Sequence, residues 1–280
     1  MTNFTAAPRS HSLHQGERDL QERRHTPEEL VSSIPNFIQT DMPQQHAEFY
    51  AGLSYLPLCT VDKQGRPWAS ILVTQSDIDP SIGINVSENN GLEIVSQMSP
   101  YDPFFRALEQ SSLGTNAKPL FAGVGVDFSN RRRNKIAGTV DSVDLDASGK
   151  LSLGLRSDEH LGNCPKYITV RSLKAKARKP QLVFDKFNGL NEPLTDSAKA
   201  LIDQASTVFL ATKHIPDENE FQQSRADMGL NHRGGAPGFV RVYEEISDTK
   251  NHSSSSKQHG QVLSYLVSVS YTHLTLPTKA

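Results

Sequence analysis

Cysteine is scarce in this 280-residue chain: there are two, Cys59 and Cys164, far apart and in unrelated contexts. That excludes a disulfide-stapled framework, and two free thiols in a reducing compartment are expected. A charge excess is also lacking. The 29 Lys and Arg residues nearly balance the 31 Asp and Glu residues, for a net charge of −2, so nucleic acid and anionic membranes gain no bulk attraction. No apolar run approaches the ~18 residues of a spanning helix. The N-terminus carries Arg9, Glu17, Arg18, Asp19, Glu22, Arg23 and Arg24 and has no apolar signal-peptide core. A soluble, cytoplasmic protein is the expectation. No His, Cys and carboxylate spacing matches a zinc site, so no metal is expected.

What the chain does have is a series of short apolar runs broken by turn residues. Leu53 to Val61 and Pro67 to Thr74 flank Asp62-Lys63-Gln64-Gly65-Arg66, the pattern of a β-hairpin. Leu120 to Phe128 reads as a strand whose glycines suit curvature or close backbone approach. Asn134 to Val143 continues the sheet, and Leu151 to Leu155 alternates cleanly after an Asp-Ala-Ser-Gly turn. Helices are few. Thr26-Pro27-Glu28-Glu29 reads as a helix start with Thr26 as cap, and Pro43 to Ala51, Tyr101 to Gln110 and Thr195 to Ala205 read as short helices. A strand-rich chain of this kind predicts a mainly β (α+β) fold, a small barrel rather than a parallel α/β sheet.

One stretch concentrates small residues and cations: Asn231-His232-Arg233-Gly234-Gly235-Ala236-Pro237-Gly238-Phe239-Val240. It reads as an open turn delivering a strand, able to bring backbone N–H groups and a guanidinium to an anion, or as a plain hairpin turn. It also echoes the first hairpin. Leu58-Cys59-Thr60 followed by Gly65-Arg66-Pro67 resembles Leu210-Ala211-Thr212 followed by Gly235-Ala236-Pro237, as in a duplicated unit. The expected organisation is an N-terminal extension (1–42), a first barrel unit (43–174), a linker (175–193) and a second, truncated unit (194–267). Residues 268–280 are expected to be a non-native tail. Val269 to Thr278 reverse-translates, with permitted codons, to GTC TCT TAT ACA CAT CTG ACG CTG CCG ACG, a string resembling the transposon end used in sequencing adaptors. Ser253 to Gly260 reads as a polar loop and Gln261 to Val267 as the start of a strand.

Four segments, in order, carry a resemblance. They are Gly65-Arg66-Pro67-Trp68-Ala69-Ser70, Asp127-Phe128-Ser129-Asn130-Arg131-Arg132-Arg133-Asn134-Lys135-Ile136-Ala137-Gly138, Gly162-Asn163-Cys164-Pro165-Lys166-Tyr167-Ile168 and His232-Arg233-Gly234-Gly235-Ala236-Pro237-Gly238-Phe239. Together they resemble the pyridoxamine 5′-phosphate oxidase-like, FMN-binding split-barrel proteins, in particular the larger members with two units in tandem. The resemblance implies a six-stranded antiparallel split barrel, a homodimer or an intrachain pseudo-dimer, and FMN or FAD between the units. It implies an FMN-dependent oxidoreductase acting on a small molecule, or a non-catalytic docking module of a larger flavin and iron–sulfur protein. The substrate residues of the true vitamin B6 oxidases have no clear match here.

Several residues are candidates for the flavin, each with a plainer alternative. Arg131, Arg133 and Lys135 belong to the densest cation run, suited to a phosphate or to a solvated turn. Alternation along a strand would put Arg131 and Arg133 on one side. Arg66, Trp68 and Ser70 share a strand face that offers a guanidinium, an aromatic wall and a hydroxyl, or simply a core tryptophan. Asn163 and Lys166 sit where a short helix would start, as an anion site or as ordinary capping. His232, Arg233, Gly234 and Gly235 would wall the cleft or shape a turn. Cys59, in an apolar strand, is a poor nucleophile. No catalytic residue stands out, because a flavin performs its own redox chemistry.

Overall fold

The computed structural model describes residues 15–112, 118–163, 165–173, 194–214, 227–248 and 257–265. Cys164, the 175–193 linker, Ser253 to Ser256 and everything after Tyr265, including the tail expected to be non-native, lie outside the described residues.

Two N-terminal helices, α1 (Gln15–Arg23) and α2 (Glu28–Ser33), lead through a 3-10 turn at Ile34–Phe37 to α3 (Gln44–Ala51). Pro43 stands at the N-cap of α3 in extended geometry, where its missing N–H costs nothing. Then come β1 (Tyr55–Val61), β2 (Pro67–Val73), β3 (Gly83–Val86), β4 (Gly91–Gln97), α4 (Pro103–Ser112), β5 (Leu120–Asp127), β6 (Arg132–Leu145) and β7 (Lys150–Asn163). These seven strands form one antiparallel sheet in the order β2-β1-β5-β6-β7-β4-β3. The sheet curls: Ser96 Oγ on β4 donates to the Val73 carbonyl on β2 at 2.7 Å, joining strands that are five places apart in the order.

Sequence chemistry explains the turns. Asp62 and Asp146 each begin a four-residue Asp-x-x-Gly turn, with Gly65 at φ 71° and Gly149 at φ 84°. Only glycine adopts that region without strain, and the aspartates accept from the turn's own N–H groups. Curvature enters through bulges in the β6–β7 ladder at Ala137/Gly138 and Val140/Ser142. A Cβ on Gly138 would lie 2.1 Å from the Arg156 carbonyl oxygen, so the first bulge admits no side chain.

Directly opposed residues in such a ladder share a face. One face turns Leu58, Leu72, Leu92, Ile94, Phe121, Ile136, Val140 and Leu153 inward against Phe49 and Tyr50 of α3 and Phe104 and Leu108 of α4. Each buried side chain of this size contributes roughly 1.5–3 kcal/mol. Gly123 and Gly125 hold the strand close: a Cβ there would meet Leu58 at 2.7 Å or Phe49 at 2.6 Å.

The contacts divide the chain into two units. The first runs to Lys166 and also holds Phe209–His232; the second holds Tyr167–Val208 and Arg233–Tyr271. In the second, α5 (Asp196–Gln204) is capped by Thr195, which accepts from Ala198 N at 3.2 Å. Strands β10 (Val240–Asp248) and β11 (Lys257–Tyr265) pair antiparallel. Strands β8 (Thr207–His214) and β9 (Asp227–Gly234) form a two-stranded ribbon, most of which packs with the first unit.

Several expectations change. Strands β3 and β4, in a stretch given no element from sequence, complete the sheet, and β6 and β7 run to 14 residues each. Lys257 to Gly260 belong to β11, not to a loop. Among the described residues no helix follows Asn163, which ends β7 opposite Arg133 in the ladder; residues 165–173 hold a turn at Lys166–Tyr167 and are otherwise irregular. The echo of the first hairpin stops at its second strand. β8 pairs with β9, a strand hidden in the expected long loop, whereas the strand after Gly235-Ala236-Pro237 pairs with β11. His232, Arg233 and Gly234 accordingly lie inside β9 and not in the turn.

Candidate functional site

Arg66 and Trp68 converge on a residue that sequence reasoning passed over. The Asp62 carboxylate, buried in the first hairpin, accepts from Gln64 N (3.0 Å) and Arg66 N (2.9 Å) through Oδ1. Through Oδ2 it accepts from Arg66 Nε (2.6 Å) and Trp68 Nε1 (2.9 Å). The guanidinium lies 5.6 Å from the indole centroid. Burial alone would raise this carboxyl, but the bonds from Trp68 and Arg66 outweigh it and hold it below the usual carboxylate range. Ser70, on the same face, donates to Asp102 Oδ2 at 2.6 Å. Asp102 in turn caps α4 by accepting from Phe104 N at 2.9 Å. All three side chains are thus bonded within the first unit.

The arginine run separates into three roles. Arg131 occupies a left-handed turn position (φ 63°) and is exposed. Arg132 lies over the Phe49 ring at 4.7 Å and donates to the Gln45 carbonyl of α3. Arg133 is only 2% exposed. Arg131 and Arg133 therefore do not share a strand face. Arg133 and Lys135 do, two residues apart on the side of β6 turned away from the core.

That outer face has a distinct make-up. Val126, Arg133 and residue 163 stand opposite one another across β5, β6 and β7, and Cys59, Ala122 and Ala137 form a row of small residues across β1, β5 and β6. The β8–β9 ribbon meets this face. Lys135 Nζ donates to Asn231 Oδ1 at 3.1 Å. The Cys59 thiol lies 3.9 Å from the Gly229 carbonyl. The His232 ring packs edge-on against Phe128 and Phe209, at 5.6 Å from each, and Phe128 stacks on Tyr55 at 6.2 Å. Burial pushes the Cys59 thiol up to about 12, against smaller opposing effects of the Ala122 backbone and the Lys135 charge, so it is no nucleophile at neutral pH.

Of the sequence-predicted residues, the structure thus gathers Arg133, Lys135, Asn163 by register, and His232. Lys166 is exposed in the turn after β7. Arg233, Gly234 and Gly235 fall in the second unit, where Gly235 N donates to the Ser206 carbonyl at 3.1 Å. A Cβ on Gly235 would lie 2.6 Å from Phe239, a packing reason for that glycine. Besides Asp62, sequence reasoning missed Asn231 and Phe128 as site neighbours. Asp62 carried a usable signal in its Asp-x-x-Gly turn; Asn231 carried none, because its partner Lys135 is 96 residues away.

An anionic group can be tested against this donor set. A guanidinium and an ammonium on one strand face, with an amide bonded to the ammonium, supply the donors that a phosphate requires. The row of small side chains beside them, Cys59, Ala122 and Ala137, is buried and leaves that part of the sheet without bulky groups. The chemistry fits, and both Arg133 and His232 are buried.

Among the described residues no helix is long and apolar enough to cross a membrane. No family model and no curated protein matches the sequence. Among solved structures, the chain is similar to a candidate pyridoxamine 5′-phosphate oxidase from Lactobacillus delbrueckii at 12% identity. That alignment covers 44% of this chain and 96% of that one, with a TM-score of 0.31. It is similar to an F420 reductase at 11% identity, covering 41% and 95%, with a TM-score of 0.28. A candidate oxidoreductase from Sinorhizobium meliloti aligns over 78% of this chain and 83% of its own length, at 10% identity and a TM-score of 0.27. Likenesses at this level assign neither family nor ligand. By its own strand order the chain is a mainly antiparallel β protein built on a curled, barrel-like seven-stranded sheet.

Proposed function

We propose that this chain is a flavin-binding, oxidoreductase-like protein that takes FMN at the outer face of β6 and serves electron or hydride transfer to a small molecule. The observation that supports it best is the pair Arg133 and Lys135 on one strand face, beside the small-residue row Cys59, Ala122 and Ala137. In this reading Arg133 and Lys135 hold the phosphate, and Asn231 orients Lys135 through their 3.1 Å bond. The flavin, when bound, supplies the redox chemistry itself; the protein binds, orients and excludes water. Arg66, Trp68 and Ser70 then act as scaffold. The two-unit organisation, with an intrachain pseudo-dimer or a homodimer around the flavin, belongs to the same proposal, as does a first unit that ends near residue 174.

A titration of FMN followed by quenching of flavin fluorescence tests the assignment. Lys135→Met should weaken binding about 10-fold or more, from the roughly 1.5–3 kcal/mol of a hydrogen bond to a charged group. Arg131→Ala should leave it unchanged. Equal effects of the two would remove the β6 face from the site. A second reading, a non-catalytic docking module, is favoured by the burial of Arg133 and His232, at 2% and 1% exposure. It predicts no uptake of FMN or FAD by any form of the chain.

A further inference from the structure

The core side of β6 holds a second polar feature, independent of the flavin reading. Asn134 is opposed by a glycine on each side, Gly125 on β5 and Gly162 on β7. Two bare positions flanking one amide leave the sheet low there, and α3 lies over it. The helix presents His46 and Tyr50, four residues apart and so on one face. A Cβ built on Gly125 would meet Phe49 Cε1 at 2.6 Å, Leu53 Cδ1 at 2.8 Å and Tyr50 Cε1 at 3.1 Å, and one built on Gly162 would meet His46 Nε2 at 3.7 Å. Tyr50, beside Phe49 and Leu53, and His46 therefore reach the sheet on either side of Asn134.

All three side chains are at least nine-tenths buried: His46 is 6% exposed, Tyr50 0% and Asn134 4%. Each nevertheless has a polar atom without a protein hydrogen-bond partner, namely His46 Nδ1, the Tyr50 hydroxyl and Asn134 Nδ2. Native interiors pair such atoms with protein or with ordered water. Three such atoms belong to residues that face one another between α3 and β6, and a buried water takes about three partners.

We propose that a single structural water sits between α3 and β6, accepting from Asn134 Nδ2 and bonded to Tyr50 Oη and His46 Nδ1. The donors and acceptors balance. The amide N–H donates to the water oxygen, the neutral imidazole accepts one water hydrogen, and the phenol, which both donates and accepts, takes the remaining place. Burial, and next the nearby Arg132 charge, lower the His46 pKa and keep the ring neutral at pH 7. The water then joins α3 to the sheet at a polar point in the core between them.

A crystal structure of the full chain at a resolution that orders solvent tests this directly. The expected result is one water within hydrogen-bond distance of at least two of the three atoms. Direct bonds from all three to protein groups, or a dry contact, would overturn it. In solution, oxygen-17 relaxation dispersion should count one fewer long-lived water in the double variant Tyr50→Phe, Asn134→Leu than in the parent, with far-UV circular dichroism unchanged. An equal count would also overturn it. If the double variant does not fold, the crystal structure of the parent decides.

Discussion

Replacing Asp62 by Asn tests the reassignment of Arg66 and Trp68 from ligand wall to scaffold. The carboxylate accepts four hydrogen bonds, two on each oxygen. An amide has one oxygen, so either of its orientations leaves two donors facing an NH2 group. If the oxygen stays on Gln64 N and Arg66 N, then Trp68 Nε1 and Arg66 Nε lose their acceptor; flipped, the two backbone N–H groups lose theirs. A buried donor left unpaired costs about 1–3 kcal/mol. The Arg66 end is discounted because its side chain is 28% exposed and water can solvate it. The expected loss is about 2–4 kcal/mol. Trp68 is the only tryptophan, so urea unfolding followed by its fluorescence reads out at the perturbed bond itself. The difference should also depend on pH. The Asp62 carboxyl is held below its ordinary range, so its contribution is complete above the unfolded-state value and is lost as pH falls through the folded-state value. Parent and variant should therefore converge in acid. A loss under about 0.5 kcal/mol at pH 7 would refute the reasoning.

Three further outcomes follow from the geometry. His160 is fully buried, between Ser157 Oγ (2.8 Å) and the Gln39 carbonyl (3.0 Å), and burial lowers its pKa from 6.5 to about 4. The folded state binds fewer protons in that window, so stability should fall by up to about 3 kcal/mol as pH drops from 6.5 through about 4, and His160→Gln should flatten the slope in urea melts. Gly138→Ala should cost about 2–3 kcal/mol, because its Cβ would lie 2.1 Å from a carbonyl oxygen; an unchanged urea midpoint would contradict the bulge. Asp102 is raised by burial, against its bonds to Ser70 and the α4 backbone, so its contribution to stability is greatest in acid and is lost as pH rises through the folded-state value. Asp102→Asn, which can still cap α4, should change stability at pH 7 by less than about 1 kcal/mol.

The elements that were legible in the sequence were those whose chemistry is local. The first hairpin announced itself through Asp62-Lys63-Gln64-Gly65, and α5 was read as a helix over Thr195 to Ala205, where the structure adds Thr195 as its cap. Strand β4 shows a clean alternation of burial that depends on its pairing with β7, and nothing in residues 75–100 marks that pairing. Strand β9 was hidden because Met228, Leu230 and His232 alternate around glycine, asparagine and arginine, a composition that reads as loop until a second strand is set beside it. The site was less legible than the fold. Alternation put Arg66, Trp68 and Ser70 together correctly, but the acids that engage them, Asp62 and Asp102, decide what they do. Arg131 itself is left-handed at the strand entry and so leaves the face of Arg133, a conformation that the run of three arginines does not disclose. The pairing of Lys135 with Asn231 is tertiary throughout.

The central claim is that the outer face of β6 binds a flavin. The absorption spectrum of the purified full-length chain, before and after addition of FMN and gel filtration, tests it most directly. The expected result is that the visible bands of an oxidised flavin stay with the protein, and that Lys135→Met sheds them while Arg131→Ala retains them. A folded, colourless protein that retains neither FMN nor FAD would contradict it.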